Sequence, residues 1–194
     1  MKSIKVLITA FCASTLLMFG TSSCNNTDNG SAADSTATLG EKLSAAADSA
    51  KAALTPDPNK SFTQDASSDN TKELAWLQAG VDHGSSRELK AHAKMMIADH
   101  QKLADALSGY ATQKSIELPS VDTTGIASLS EKPGKDWDKA WVDKMVEAHQ
   151  DAINKFESAQ NSVTDPELKG IVDNTLPTLH KHYDMMKQMQ DKMK

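Results

Sequence analysis

The chain has 194 residues and a formal net charge of −5, with 24% charged and 39% hydrophobic residues. This length allows one ordinary domain once the polar first third is set aside. The acidic balance and the single arginine, Arg87, exclude the basic stripe that nucleic-acid binding requires.

Residues 1–23 have the pattern of a secretory signal peptide, in which Lys2 and Lys5 precede an apolar run too short for a transmembrane helix. Small residues then precede Cys24, as in the lipobox of bacterial lipoproteins, where this thiol is acylated. We therefore predict a lipid anchor that holds the protein to a membrane of the bacterial cell envelope, at the outer membrane or periplasm rather than in the cytoplasm. The alternative is a secreted protein with a free Cys24. Cys12 would be removed with the signal, so no disulfide can form within the mature chain.

Residues 24–60 are rich in Ser, Ala and Asp and have few large apolar side chains. Such a segment buries too little surface to offset its ordering entropy, which predicts a tether. Within it, the Ala-rich stretch 39–54 could form a transient helix that Pro56 and Pro58 would end. We expect the folded domain to occupy residues 61–194.

The first helix of the domain is predicted at about 61–84. Its apolar face holds Leu74, Leu77 and Val81, with Glu73 and Gly80 on the border. Its first half is rich in Ser, Thr, Asp and Asn, which favour caps and turns. A start near Asp69 is therefore the alternative.

A second helix is predicted from an N-cap at Ser86 to about Lys114. Apolar residues follow one another at alternating spacings of four and three: Leu89, Ala93, Met96, Leu103, Leu107 and Tyr110. His100 lies inside this stripe. A polar group in an apolar core costs about 1–3 kcal/mol unless it has a hydrogen-bond partner or a metal.

The same feature recurs on two further predicted helices. Residues 115–135 contain prolines and glycines and are predicted as a loop, with one short turn at 126–129. A third helix follows from about Asp136, and His149 lies in its apolar stripe. A fourth begins at Pro166, carries His182 in its stripe, and contains Pro177, which predicts a kink.

These patterns predict an all-α fold, an up-down-up-down four-helix bundle with short connections. Glu73, His100 and His149 each lie about a dozen residues from a predicted turn, and His182 lies one turn further than that from Pro166, so the four would meet at one level of the core to within one helical turn. One carboxylate and three imidazoles suit Zn or Fe. The alternative is a buried polar layer, without metal, that fixes helix register in a structural or interaction module.

The arrangement of motifs resembles the bacterial domain-of-unknown-function family 4142, whose members are secreted or lipid-anchored and are assigned to the ferritin-like superfamily. The matching residues are Glu73, Lys90-x-x-Ala93-x-x-Met96-x-x-Asp99-His100, Leu118-Pro119, Trp137-Asp-x-x-Trp141-Val-x-x-Met145-Val-x-x-His149, Asp165-Pro-Glu-Leu168 and Leu176-Pro-x-Leu-x-x-His182. The resemblance implies a ferritin-like bundle and no defined activity.

An oxidase of the ferritin type is not indicated by the sequence. Its di-iron site uses Glu-x-x-His pairs, whereas Ile97, Val146 and Leu179 stand three residues before the three histidines. We therefore interpret the chain as a metal-binding protein rather than an enzyme.

Methionines near the histidines offer a softer ligand set. Met96, Met145 and Met186 each lie one helical turn from a histidine. Thioether and imidazole ligands together favour Cu(I), although a methionine stripe is more often core packing. For up-down-up-down helices, Met145 and Met186 are expected on one side of the histidine layer and Met96 on the other.

Overall fold

The computed structural model describes residues 56–124, 129 and 134–194, together with Ser44. The predicted signal peptide, Cys24, most of the Ala-rich stretch and most of the turn predicted at 126–129 lie outside the described residues. Contacts divide the chain into the units Met1–Ser49 and Ala50–Lys194, and nearly all described residues belong to the second unit.

The second unit is built from four long helices: α1 (Pro58–His83), α2 (Arg87–Gln113), α3 (Lys135–Ser162) and α4 (Pro166–Lys192). The stretches 56–124 and 134–194 contain no strand. The predicted all-α, ferritin-like four-helix bundle is confirmed. None of the described helices is both long and apolar enough to cross a membrane.

Helix α1 begins earlier than its polar sequence suggested. Asp57 caps it by accepting a hydrogen bond from the Asn59 backbone N–H at 2.9 Å, and Pro58 occupies the first turn. The alternative start near Asp69 is therefore wrong. Thr63 is accommodated because its hydroxyl donates to the Asn59 carbonyl at 2.7 Å, and the Thr71 hydroxyl likewise donates to the Ser67 carbonyl at 2.8 Å.

The buried face of α1 is also rotated from the expected one. Glu73, Leu77 and Gly80 are buried, while Leu74 and Val81 are only partly buried. Glu73 and Gly80, which the sequence placed at the border of the apolar face, thus lie at the centre of the buried face. This rotation directs the Glu73 carboxyl into the core.

The other helices start where the sequence indicated. The Ser86 hydroxyl caps α2 by accepting from the Leu89 N–H at 3.0 Å. The Asp165 carboxylate caps α4 by accepting from the N–H groups of Glu167 and Leu168 at 2.9 and 3.4 Å. Pro177 lies inside α4, which continues through it to Lys192.

The buried apolar residues form two clusters, one toward each end of the bundle. The methionine end consists of Leu77, Ala79, Leu89, Ala93, Met96, Trp137, Trp141, Val142, Met145, Met186 and Met189. The aromatic end consists of Phe62, Ala66, Leu103, Leu107, Tyr110, Ile153, Phe156, Ala159, Val163, Leu168, Val172, Leu176 and Leu179. The start of α3 therefore lies beside the end of α1 and the start of α2.

The direction of α3 corrects the up-down-up-down order expected from the sequence. Helix α3 runs parallel to α2, and the four helices run up, down, down, up, with one long crossover between α2 and α3. A crossover of this kind is typical of ferritin-like bundles. The 27 residues of α2 span about 40 Å, and an extended linker over 114–134 can reach about 70 Å.

A buried carboxylate fixes the start of α3. Asp138 is 3% exposed and accepts hydrogen bonds from the Ser85 N–H and hydroxyl, both at 2.7 Å, and from the Ser86 N–H at 3.2 Å. These bonds join α3 to the turn between α1 and α2. This role could not be predicted from the sequence, because an acidic residue in the first turn of a helix is common.

Candidate metal centre

The three core histidines meet in one buried layer between the two apolar clusters. His100, His149 and His182 are 2%, 0% and 1% exposed. Their ring centroids are 5.4, 5.5 and 5.4 Å apart. One ring nitrogen from each lies within 4.8 Å of the others. The structure therefore brings the three predicted histidine ligands together, and Glu73, the fourth predicted residue, lies against one of them.

The tautomer of His149 is fixed by a backbone hydrogen bond. Its Nδ1 lies 2.8 Å from the carbonyl oxygen of Met145. Because a carbonyl oxygen only accepts, Nδ1 of the neutral ring must carry the proton. The lone pair is then on Nε2, which faces the Nε2 of His100 at 3.4 Å.

The tautomer of His100 is fixed by Asn70, a residue whose role the sequence did not reveal. The Asn70 side-chain N–H₂ donates to the His100 carbonyl at 3.0 Å, so its oxygen faces His100 Nδ1 at 2.8 Å. Nδ1 must therefore donate, and the Nε2 of His100 is left unprotonated. The signal available in the sequence was spacing, since Asn70 precedes Glu73 by one turn on the same face.

His182 interacts with a carboxylate at the edge of the layer. Its Nε2 lies 3.3 Å from Asp99 Oδ2. The pKa of Asp99 is lowered by its hydrogen bond to Lys102 and by His182, so the carboxylate is ionised and accepts. His182 Nδ1 is then unprotonated, and it is buried without a hydrogen-bond partner. A metal ion would satisfy this nitrogen.

Three unprotonated nitrogens in a buried layer fit the requirements of a metal site. Two lone pairs facing each other at 3.4 Å repel unless a cation lies between them. With metal–nitrogen bonds of about 2.0–2.1 Å, two ligands of one tetrahedral ion are about 3.4 Å apart. The widest separation, 4.8 Å, would close with a ring movement of about 1 Å.

Burial keeps all three rings neutral and ready to act as ligands. It lowers the pKa of His100 to about 3, with a further contribution from the other two histidines, and that of His149 to about 4. Burial also lowers the pKa of His182, although Asp99 opposes this. Neutral imidazole is the form that binds metals.

Glu73 lies on the outer side of His100, away from the facing Nε2 atoms. Its Oε2 is 3.2 Å from His100 Nδ1, whose proton is donated to Asn70. Burial, and then the charge of Asp69, raise the pKa of Glu73 to about 8. At neutral pH this contact therefore joins two neutral groups and is not an ion pair. The geometry places Glu73 beside the ring of a proposed ligand, on the side of Nδ1, whereas the sequence placed it among the ligands.

The methionines of the softer ligand set all lie on one side of the layer. Met96, Met145 and Met186 are fully buried in the methionine end. The expectation that Met96 would lie on the opposite side is wrong, because it assumed the reverse direction for α3. With α3 parallel to α2, a residue that precedes its histidine by one turn points to the same end on both helices.

Two clefts approach the layer from opposite sides. One, of about 160 Å³, lies between α1 and α3 and has Glu73 and Asn70 in its lining. The other, of about 290 Å³, lies between α2 and α4 and includes Asp99 and Thr175. The polar partners of His100 and His182 thus connect the buried layer to the surface.

Residues 43–189 match the domain of unknown function DUF4142. The chain belongs to this family. The resemblance drawn from the Asp99-His100 pair and the two later histidines is thereby confirmed. No curated protein matches the chain.

Solved structures with similar folds include a DUF305 fragment from Deinococcus radiodurans, with a TM-score of 0.62 and 13% identity over 71% of this chain and 97% of that one. CopM in its Cu(I)-bound form has a TM-score of 0.59 and 16% identity over 69% and 96% of the two chains. A two-domain protein from Anabaena variabilis with DJ-1/ThiJ/PfpI-like and ferritin-like domains has a TM-score of 0.56 and 20% identity, and this chain covers 36% of it. At these identities, the likeness concerns the fold alone.

Proposed function

We propose that this DUF4142 protein binds one transition-metal ion through His100, His149 and His182. The observation that carries the proposal is the meeting of three neutral imidazole rings in one buried layer, with one nitrogen of each within 4.8 Å of the others and with His182 Nδ1 lacking any partner. Each ring is held in its tautomer by a separate acceptor: Asn70, the Met145 carbonyl and Asp99. Such outer hydrogen bonds orient metal-binding histidines in proteins generally.

A divalent ion, Zn or Fe(II), is the principal candidate. Imidazole nitrogens are suitable ligands for both metals. A divalent charge close to His100 would also favour the ionised form of Glu73, which lies 3.2 Å from that ring and would balance part of the charge. The carboxylate thus contributes electrostatically from the position where the structure places it.

Metal analysis of protein purified without chelator or nickel resin tests the proposal. We expect close to one equivalent of metal, or saturable binding of Zn at micromolar concentration or below. His149→Ala should weaken binding by more than the roughly 10–100-fold that outer hydrogen-bond partners contribute. His180→Ala is the matched control, because His180 is an exposed histidine on α4 and its loss should leave affinity unchanged.

The competing function is a structural module in which the polar layer only fixes helix register. It would be favoured if neither Zn, Fe(II) nor Cu(I) bound at micromolar concentration. In that case His149→Leu should preserve or raise stability, since an apolar side chain would replace an incompletely paired imidazole. Under the metal proposal, the same substitution removes binding.

Copper is the second candidate. It is favoured because the three methionines lie on the same side of the histidine layer. Met96, Met145 and Met186 together with the histidines would form a soft set suited to Cu(I). The fold of CopM, described in a Cu(I)-bound form, is compatible with this alternative. The double variant Met145→Leu/Met186→Leu separates the candidates. Under the divalent proposal, this variant should still bind Zn or Fe(II). If the wild-type protein bound only Cu(I) and the variant lost that binding, copper would replace the divalent ion in the proposal.

We further propose that Cys24 carries the lipid anchor that the sequence predicts. The wild-type protein should partition with membranes, and Cys24→Ala should neither incorporate labelled palmitate nor sediment with the outer-membrane fraction. Mature wild-type protein with an unmodified Cys24 in the soluble fraction would remove the anchor and leave a secreted protein.

A further inference from the structure

The methionines of the described chain all lie at one end of the bundle. Met96, Met145, Met186 and Met189 are buried in the methionine end, and Met95, Met185 and Met193 pack against it partly buried. The aromatic end, as far as the described residues show, is filled by Phe, Tyr, Leu, Ile, Val and Ala. Packing alone does not require this division, because Leu fills a core as well as Met and occupies fewer rotamers.

On α4 the thioethers form a continuous line from the histidine layer to the end of the helix. Met186, Met189 and Met193 follow His182 one helical turn apart each. Met186 is fully buried, Met189 is 3% exposed, and Met193 is partly exposed at the C-cap of α4. The line therefore begins at a proposed ligand and reaches solvent.

The chemistry of this end selects soft cations. Its buried core is made of apolar and thioether side chains, while at the surface the cleft beside Met193 is lined by the carboxylates of Asp136 and Asp138 and by three lysines. Hard divalent ions prefer oxygen ligands, whereas thioethers select Cu(I). A monovalent ion also brings less charge into an apolar core than a divalent ion does.

We propose that the methionine end is a second metal site, for a soft monovalent cation such as Cu(I), with its mouth at Met193 and its inner end at Met186. This site uses different ligands from the histidine centre and does not depend on metal binding there. Passage of the ion from Met186 to His182 is a further step, and only this step rests on the proposed function.

Ag(I), a soft cation that is stable to oxidation, is the probe for the test. The protein would be labelled with ¹³C-methyl methionine and titrated with Ag(I) in the His149→Ala background, which disables the histidine centre. We expect the Met189 and Met193 methyl resonances to shift and a saturable binding isotherm. Met189→Leu/Met193→Leu in the same background should weaken Ag(I) binding at least tenfold, since leucine nearly conserves the volume and removes the sulfur.

The outcomes separate this proposal from the histidine centre. Equal Ag(I) affinity with and without the two leucines, or Met189 and Met193 methyl resonances that do not move on titration, would show that the methionines only pack the core. Retained Ag(I) binding in a protein that binds neither Zn nor Fe(II) would uphold the methionine site and remove the divalent histidine proposal. Should the double variant unfold, Met193→Leu alone, at the surface, is expected to weaken Ag(I) binding while the circular dichroism spectrum remains that of the wild type.

Discussion

Asp99 determines which nitrogen of His182 is available, although it lies outside the histidine layer. Its ionised carboxylate accepts from Nε2 at 3.3 Å and leaves Nδ1 unprotonated. In Asp99→Asn, the side-chain N–H₂ can donate to Nε2 instead, which moves the proton to Nδ1 and removes a ligand. We expect Asp99→Asn to weaken Zn binding by roughly 10–100-fold in a competition titration.

The control for this prediction is Asp105→Asn on the same helix. Asp105 is exposed and accepts a hydrogen bond from Gln101, so its replacement should not change Zn affinity. Equal affinities for the Asp99 and Asp105 variants would show that His182 presents its nitrogen without help from Asp99.

Glu73 makes the stability of the metal-free protein depend on pH. Burial raises the folded-state pKa of Glu73 from 4.5 to about 8. The stability that its protonated form contributes is therefore fully present below about pH 4.5, and it is lost as the pH rises from there through 8. His100 and His149 act in the opposite sense. Because their folded-state pKa values are lowered, protonation of these rings favours the unfolded state, and stability is lost only as the pH falls below 6.5. Between pH 6.5 and 8.5, Glu73 therefore contributes most of these three groups to the change of stability with pH.

Urea unfolding of metal-free protein over this interval measures the effect. The wild-type free energy of unfolding should fall with rising pH, at a slope of at most about 1.4 kcal/mol per pH unit. Glu73→Gln should flatten the slope, and Glu147→Gln, an exposed change on α3, should not. A wild-type slope that persists in Glu73→Gln would place the titrating group elsewhere.

At the scale of the elements, α1 packs directly against the Trp141 ring of α3 at Gly80. A Cβ atom there would lie 2.6 Å from two atoms of the Trp141 ring. The indole cannot easily move, because its Nε1 donates to the Trp76 carbonyl at 2.7 Å. We expect Gly80→Ala to lower the free energy of unfolding by about 1–3 kcal/mol in urea, through overpacking.

Two other helical glycines provide the control. Gly109 in α2 and Gly170 in α4 have open space where a Cβ would stand. Alanine has the higher helix propensity, so Gly109→Ala and Gly170→Ala should each raise the free energy of unfolding by about 0.5–1 kcal/mol. A neutral or stabilising Gly80→Ala would mean that Trp141 has room to move.

For the whole molecule, the sequence predicted the helices and the histidine layer because both depend on local spacing. His149 lies near the middle of α3, so its depth in the bundle is the same whichever way the helix runs. The positions of Met145 and Met96 relative to the layer do depend on direction, and there the prediction failed. The long linker at 114–134 was the available clue, since short connections join antiparallel neighbours and long ones permit a crossover.

The polar partners of the site were harder to predict. Asn70 and Asp138 act across helices, and their roles follow from contacts with residues 30 and 53 positions away. Neither periodicity nor composition encodes such contacts. Glu73 was recognised as important but placed among the ligands, because spacing gives the level of a residue in the bundle and not the side of the ring that it faces.

The extent of the independent folding unit follows from the cap of α1. Deleting residues 25–55 retains the Asp57 cap and should change the free energy of unfolding by less than about 0.5 kcal/mol, because the sequence of that segment has few large apolar side chains to bury. Extending the deletion through Pro58 removes the cap and should cost about 1 kcal/mol. Urea unfolding of both forms, compared in the Cys24→Ala background to exclude the lipid, provides the measurement. The family match begins at residue 43, inside the deleted segment. A loss of several kcal/mol on the shorter deletion would therefore show that the Ala-rich stretch packs on the bundle and belongs to the domain.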